Sequence, residues 1–320
     1  MSPRRRTGRK LLTALLPVLL VLVLAACGLT AWMVYGAAHP PRRAYLVTPD
    51  KFSQLSERGL RATEEAWSNH DGTPARGWLI RGREGAPAVL LFHHYGADRS
   101  WLFNLGVKLN ETTDVTVLLP DARGHGENPA VATSSFGAKE ADDAAAAIEH
   151  LQTLQSEGGR PLVGDSLGVF GVEMGAYAAL AAAQKHARVR SLALDSVPDT
   201  PDAVLRSAVE GHTSFDNDAL QQFARLGARL YFFGDYRNTS SCTTAESLSN
   251  RQVLLLSGPD AGPLYGQTQI VSKCFPTSST VEVHTDLPLV GLKLASASPE
   301  QGEAYDRRVI EFFDRTLVKK

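Results

Sequence analysis

With 320 residues, 43% of them hydrophobic and 21% charged, the chain can bury one large core, and its length does not require a second domain. A formal net charge of -1 removes the electrostatic case for nucleic acid as a partner. Three cysteines are too few for a disulfide scaffold, and no group of His, Cys and carboxylates has metal-ligand spacing, so no metal or other cofactor is expected.

The first ten residues, MSPRRRTGRK, form a basic tail, and Leu11 to Ala38 follows without a charge. About 20 apolar residues suffice to cross a bilayer as a helix, so residues 11–38 are expected to be a transmembrane anchor. Trp32 and Tyr35 suit the far interface. The excess of basic residues before the span places the N-terminus inside and the rest of the chain outside the cytoplasm, as a single-pass protein. A second reading starts from Leu24-Ala25-Ala26-Cys27, which resembles the lipobox of bacterial lipoproteins, with Cys27 as the lipidated residue. The apolar run continues for eleven residues past Cys27, which favours the uncleaved anchor. Both readings attach the chain to a bacterial cell membrane.

Residues 39–59, opening with HPPRR, read as a linker whose prolines stop the helix. The folded domain is then expected over 60–320. Strands are expected over Leu60 to Trp67 and Ala75 to Arg81, joined at Asp71-Gly72, and AVLLFHH and DVTVLLPD read as buried strands flanking a helix from Arg99 to Glu111. The alternation continues with a helix from Ala138 to Leu154, strand Leu167 to Val172, helix Met174 to His186 and strand Arg188 to Asp195. After strand Gln252 to Ser257 come a helix from Leu264 to Cys274, strand Thr280 to His284 and a last helix capped by Ser298. Such alternation implies an α/β fold with a mostly parallel sheet covered on both faces. Residues 197–250 interrupt it with two amphipathic stretches, as a small helical cap would. Cys242 and Cys274 can pair in an oxidising compartment or remain two thiols.

Four motifs occur in order: FHHYGADRS, PDARGHGEN, GVFGVEMGAYAAL and LLLSGPDA. Together they make the chain resemble the α/β-hydrolases, near the membrane-anchored group related to serine aminopeptidases and esterases. The resemblance implies a nucleophile elbow, a tight strand-to-helix turn with Gly171 and Gly175 on either side of its apex. It also implies an oxyanion hole formed by the backbone N–H groups of Met174 and Tyr95. His94 stands where the family usually has Gly.

At the apex, where the family has Ser, this chain has Glu173. A literal G-x-S-x-G lies seven residues earlier around Ser166, an alternative nucleophile, but LGVFGV after it makes a poor helix. A carboxylate at the apex excludes acyl transfer through a serine ester there. By the resemblance the acid should follow the strand ending at Ser257, near Asp260, and the His should lie in TDLPLVGLKLASA, which contains none. His284 is the nearest candidate base. His93 and His125 are expected to shape loops, and His150 and His186 to lie at the surface.

The expected function is therefore a membrane-anchored α/β-hydrolase-like protein with lost or strongly altered hydrolysis, serving to bind a small-molecule or peptide ligand or as a scaffold. The carboxylate of Glu173 at the mouth of a lidded pocket would suit a cationic ligand. The alternative is an active hydrolase of esters, amides or related small molecules that uses Glu173, or Ser166, with Asp260.

Overall fold

The computed structural model describes residues 3–55, 62–127, 129–286 and 288–319. Leu60 and Arg61 of the first expected strand, Asn128 of the second motif and Leu287 of the loop after the last strand lie outside the described residues. The strands are β1 (Ala62–Ser68), β2 (Pro74–Ile80), β3 (Ala86–Phe92), β4 (Thr116–Pro120), β5 (Val163–Val172), β6 (Val189–Asp195), β7 (Gln252–Leu256) and β8 (Thr280–His284). The helices are α1 (Pro3–Ala38), α2 (Pro49–Leu55), α3 (Phe103–Thr113), α4 (Glu140–Thr153), α5 (Met174–Lys185), α6 (Pro201–Thr213), α7 (Asp218–Tyr231), α8 (Ser241–Glu246), α9 (Pro263–Val271) and α10 (Pro299–Phe313).

One sheet runs in the order β1-β2-β4-β3-β5-β6-β7-β8. The β1–β2 hairpin turns at Asp71-Gly72 and β2 meets β4 antiparallel, while all later pairings are parallel. Apolar strands without alternation are explained by the two cores they serve. In β3, Ala88, Leu90 and Phe92 pack under α4 and α5, and Val89 and Leu91 pack under α3 and α10. The last helix begins with the expected capping box between Ser298 and Gln301 and buries Val309, Phe312 and Phe313.

The expected boundary between anchor, linker and domain is displaced towards the N-terminus. Residues 14–38 of α1 are long and apolar enough to cross a membrane, yet the last turns of this helix are packed inside the protein. Met33, Val34, Ala37 and Ala38 are buried against Val204, Leu205 and Val209 of α6 and Ala224 and Ala228 of α7. A Cβ at Gly36 would overlap the ring of His212 as it is placed, so the glycine leaves room for that ring against α1. The expected linker is likewise docked: Tyr45, Val47 and Phe52 pack onto the core beneath α3. Cutting the chain at His39 would therefore remove part of a core rather than a tether.

The segment 197–250 forms α6, α7 and α8, the expected helical cap. Cys242 in α8 and Cys274 after α9 form a disulfide with Cα atoms 5.3 Å apart, which ties the end of the cap to the sheet's flank. Closing a loop of sequence separation 32 restricts the unfolded chain by about 3 to 4 kcal/mol in the chain-entropy picture. Cys242→Ser is expected to lower the unfolding free energy by about that amount in denaturant titrations of the full chain, with reductant producing the same loss in the wild type and none in the variant.

Candidate active site at the nucleophile elbow

β5 ends at Val172 and α5 begins at Met174, leaving Glu173 alone in the turn with φ 49° and ψ -111°. A non-glycine residue in that region is strained, and strain of this kind persists only where the surroundings hold it. Here they do. The Glu173 N–H donates to the Asp195 carbonyl at 2.9 Å, and the Glu173 carbonyl accepts from the Tyr177 N–H at 3.0 Å. A Cβ at Gly171 would overlap the Gly175 carbonyl, and one at Gly175 would overlap the Phe92 carbonyl. Both glycines are thus required by the approach of strand, turn and helix.

The side chain of Glu173 is 5% exposed, and its Oε2 accepts a hydrogen bond from the Tyr95 N–H at 3.1 Å. The Tyr95 N–H is one of the two backbone donors that the sequence motifs single out for an oxyanion hole, and here it is taken up by the apex residue's own carboxylate. Burial raises the Glu173 pKa from 4.5 to about 7, against the opposing effect of the nearby Tyr95 and Met174 backbone N–H groups.

Tyr95 is held in place by side chains of the neighbouring loop. His93 accepts from the Ala122 N–H and His125 accepts from the Gly96 N–H, each at 3.0 Å, while their other ring nitrogens face the His94 and Arg123 carbonyls. Asp121 accepts from the Arg99 N–H, and the Arg99 guanidinium lies over the rings of Tyr45 and Trp78. Both histidines are therefore loop clamps. His94, in the family's glycine position, turns its Nδ1 to the Tyr95 carbonyl and packs edge-on against Trp101, and burial lowers its pKa to about 4.

A cleft of ≈ 900 Å³ lies over the elbow, lined by Glu173, Asp260, Lys293, and Arg206 and Arg225 of the cap. The structure thus brings Glu173 and Asp260 to the same cleft, with Asp260 exposed on a short turn after β7. A carboxylate presented freely at the mouth is not what is found, because the carboxyl of Glu173 is buried and turned to the Tyr95 N–H. A smaller cavity of ≈ 220 Å³ lies beside Met174 and Gly175 between the β1–β2 hairpin and α4, and Glu173 does not line it.

His284 is not brought to the elbow. The register runs from Val172 through Asp195 and Leu256 to His284, which places His284 three strands from β5, about 14 Å away at usual strand spacing. The carboxyl of Glu173 points the other way, towards the loop after β3. Ser166 lies within the first half of β5, not at a turn; at strand rise it is roughly 23 Å from Glu173. This strand starts earlier than its composition suggests because Gly164 lies against the Gly85 carbonyl, where a Cβ would not fit. His150 and His186 are partly covered rather than fully at the surface, and His150 stacks on Trp67.

One buried carboxylate beside the site was not singled out by the motifs. Asp195, at the end of β6, is completely buried and accepts from Ser196 Oγ at 2.6 Å, Tyr305 OH at 2.5 Å and the Gly291 N–H at 2.7 Å. Burial raises its pKa, and the three donors oppose that shift. It fixes the loop after β8 to the end of β6, whose Asp195 carbonyl in turn accepts from the Glu173 N–H. The sequence signal was a carboxylate closing an otherwise apolar strand, LALDS.

No family model matches the chain, and no curated protein matches it in sequence. Solved structures do. An esterase of Pyrococcus furiosus superposes with TM-scores of 0.60 and 0.64 at 20% and 18% identity, covering 88% and 87% of this chain and 98% and 97% of that one. A dienelactone hydrolase from Anabaena variabilis gives 0.53 at 16% identity over 80% of this chain and 99% of that one. An acylaminoacyl peptidase of Pyrococcus horikoshii gives 0.58 at 15% identity over 82% of this chain and 42% of that one. The chain has the α/β-hydrolase fold.

The raised pKa of Glu173 makes a stability prediction. A carboxyl that titrates at about 7 when folded and at 4.5 when unfolded stabilises the protein fully below pH 4.5 and loses that contribution as the pH rises through about 7, a change of about 3 kcal/mol. Glu173→Gln, which cannot ionise, is expected to lack this slope and to be the more stable form at pH 8, as read by denaturant unfolding across the pH series.

Proposed function

We propose that this is a membrane-tethered protein of α/β-hydrolase fold that binds a small-molecule or peptide ligand in the cleft over Glu173 and does not carry out serine-type acyl transfer. One observation carries this reading. The carboxyl of Glu173 accepts the Tyr95 N–H at 3.1 Å, so one of the donors that would stabilise a tetrahedral oxyanion is engaged by the residue at the apex, where a nucleophile would stand. The distance of His284 from the elbow and the position of Ser166 inside β5 support it. The apolar helix at the N-terminus and the basic tail before it support an anchor, with the tail inside and the domain outside the cell membrane. The disulfide between Cys242 and Cys274 suits that oxidising side.

A second reading rests on the same pKa. A carboxylate titrating at about 7 beside a cleft is suited to act as a general base towards water, with Asp260 lining the same cleft.

The full chain in detergent micelles, treated with a fluorophosphonate probe and a panel of esters and amides, separates the readings. The binding protein is expected to show no labelling and no turnover above Glu173→Gln. Turnover that rises with pH around 7 and disappears in Glu173→Gln supports the second reading. Labelling that disappears in Ser166→Ala contradicts both.

A further inference from the structure

The cap carries an apolar surface that nothing in the folded domain covers. Along α7, Phe223, Leu226 and Leu230 recur at three- and four-residue spacing on one stripe and are 46%, 57% and 65% exposed. Phe233, just past the helix, continues the stripe at 95% exposure, and Phe215, before it, is 66% exposed. The rest of α7 is committed: Ala224 and Ala228 on the opposite face are buried, and Gly227, flanking the stripe, lies against Thr30 and Val34 of α1, where a Cβ would crowd both side chains.

That contact sets the height of α7 relative to a bilayer. Twenty helical residues rise about 30 Å, the thickness of the hydrocarbon layer, so Leu11 to Thr30 spans it. Leu15 to Leu24 are accordingly exposed apolar residues, and Trp32 and Tyr35, 53% and 59% exposed, fall at the interface. α7 crosses α1 at that same level. Arg229 is exposed on the helix, and Arg42 and Arg43 are exposed just after α1, as cations near phosphate headgroups would be.

We infer that the outer face of α7, with Phe215 and Phe233 at its ends, lies in the interface of the bilayer that α1 crosses, as an amphipathic surface helix. This rests on the reading of α1 as an anchor. The cap then stands between lipid and cleft: Arg225 lines the cleft over Glu173, and its neighbour Leu226 faces the acyl chains. The cleft opens beside the headgroup layer and the domain is held at one fixed orientation.

The test uses the full chain in lipid vesicles with Cys27→Ser as background and one spin label at a time, at Leu226→Cys, Leu230→Cys, Leu22→Cys in the span or Glu157→Cys at the far end of the sheet. Collision with oxygen and with a water-soluble nickel chelate is read at each site. Leu226→Cys and Leu230→Cys are expected to resemble Leu22→Cys, reached by oxygen and shielded from nickel, with Glu157→Cys the reverse. Labels at 226 and 230 that resemble Glu157→Cys while Leu22→Cys stays in lipid overturn the inference and leave the anchor standing. Water-like behaviour at Leu22→Cys overturns anchor and inference together. Shielding from both reagents that is relieved by diluting the protein in lipid assigns the surface to a second copy and also overturns it.

Discussion

Everything around the site depends on one strained residue whose charge has a fixed place to go. At φ 49° and ψ -111°, Glu173 occupies a backbone conformation that costs free energy, and the turn persists because Gly171 and Gly175 admit carbonyl groups where a Cβ would stand. The same turn directs the side chain at the Tyr95 backbone donor. In a serine hydrolase such donors wait for charge that develops during reaction. Here a carboxyl already occupies the Tyr95 N–H, buried deeply enough that its proton is retained to about pH 7. The elbow geometry here holds a buried, hydrogen-bonded carboxyl at its apex.

Much of this was legible in the chain itself. Two-faced burial leaves unbroken apolar strands, so β3, β4 and β7 stand out, and the glycines two positions from Glu173 locate the elbow ahead of the literal motif at Ser166. The positions of Tyr95 and Met174 followed from the same motifs. The direction of the Glu173 carboxyl did not, because it depends on a donor 78 residues away whose loop is clamped by His93 and His125. Asp195 was equally hidden: its partners Tyr305 and Gly291 lie far along the chain, and a carboxylate closing a strand looks like an ordinary solvent-facing end.

The N-terminal helix shows a different limit of sequence reading. An apolar run does not say where burial in lipid gives way to burial in protein, since both environments select the same side chains. Only the packing of Met33, Val34, Ala37 and Ala38 under the cap marks that change. The consequence reaches the site, because the Ala37 carbonyl accepts from the Tyr95 hydroxyl at 2.5 Å, and Tyr95 is the residue whose N–H holds Glu173. The N-terminal helix, cap and elbow are one packed unit.

The claim that the Glu173 carboxyl occupies the Tyr95 donor is tested most directly by following the backbone amide resonance of Tyr95 in the full chain as pH is varied. The account predicts that it moves with a midpoint of about 7 and does not move in Glu173→Gln. An amide that stays fixed through that range in the wild type, or that titrates unchanged in Glu173→Gln, would contradict it.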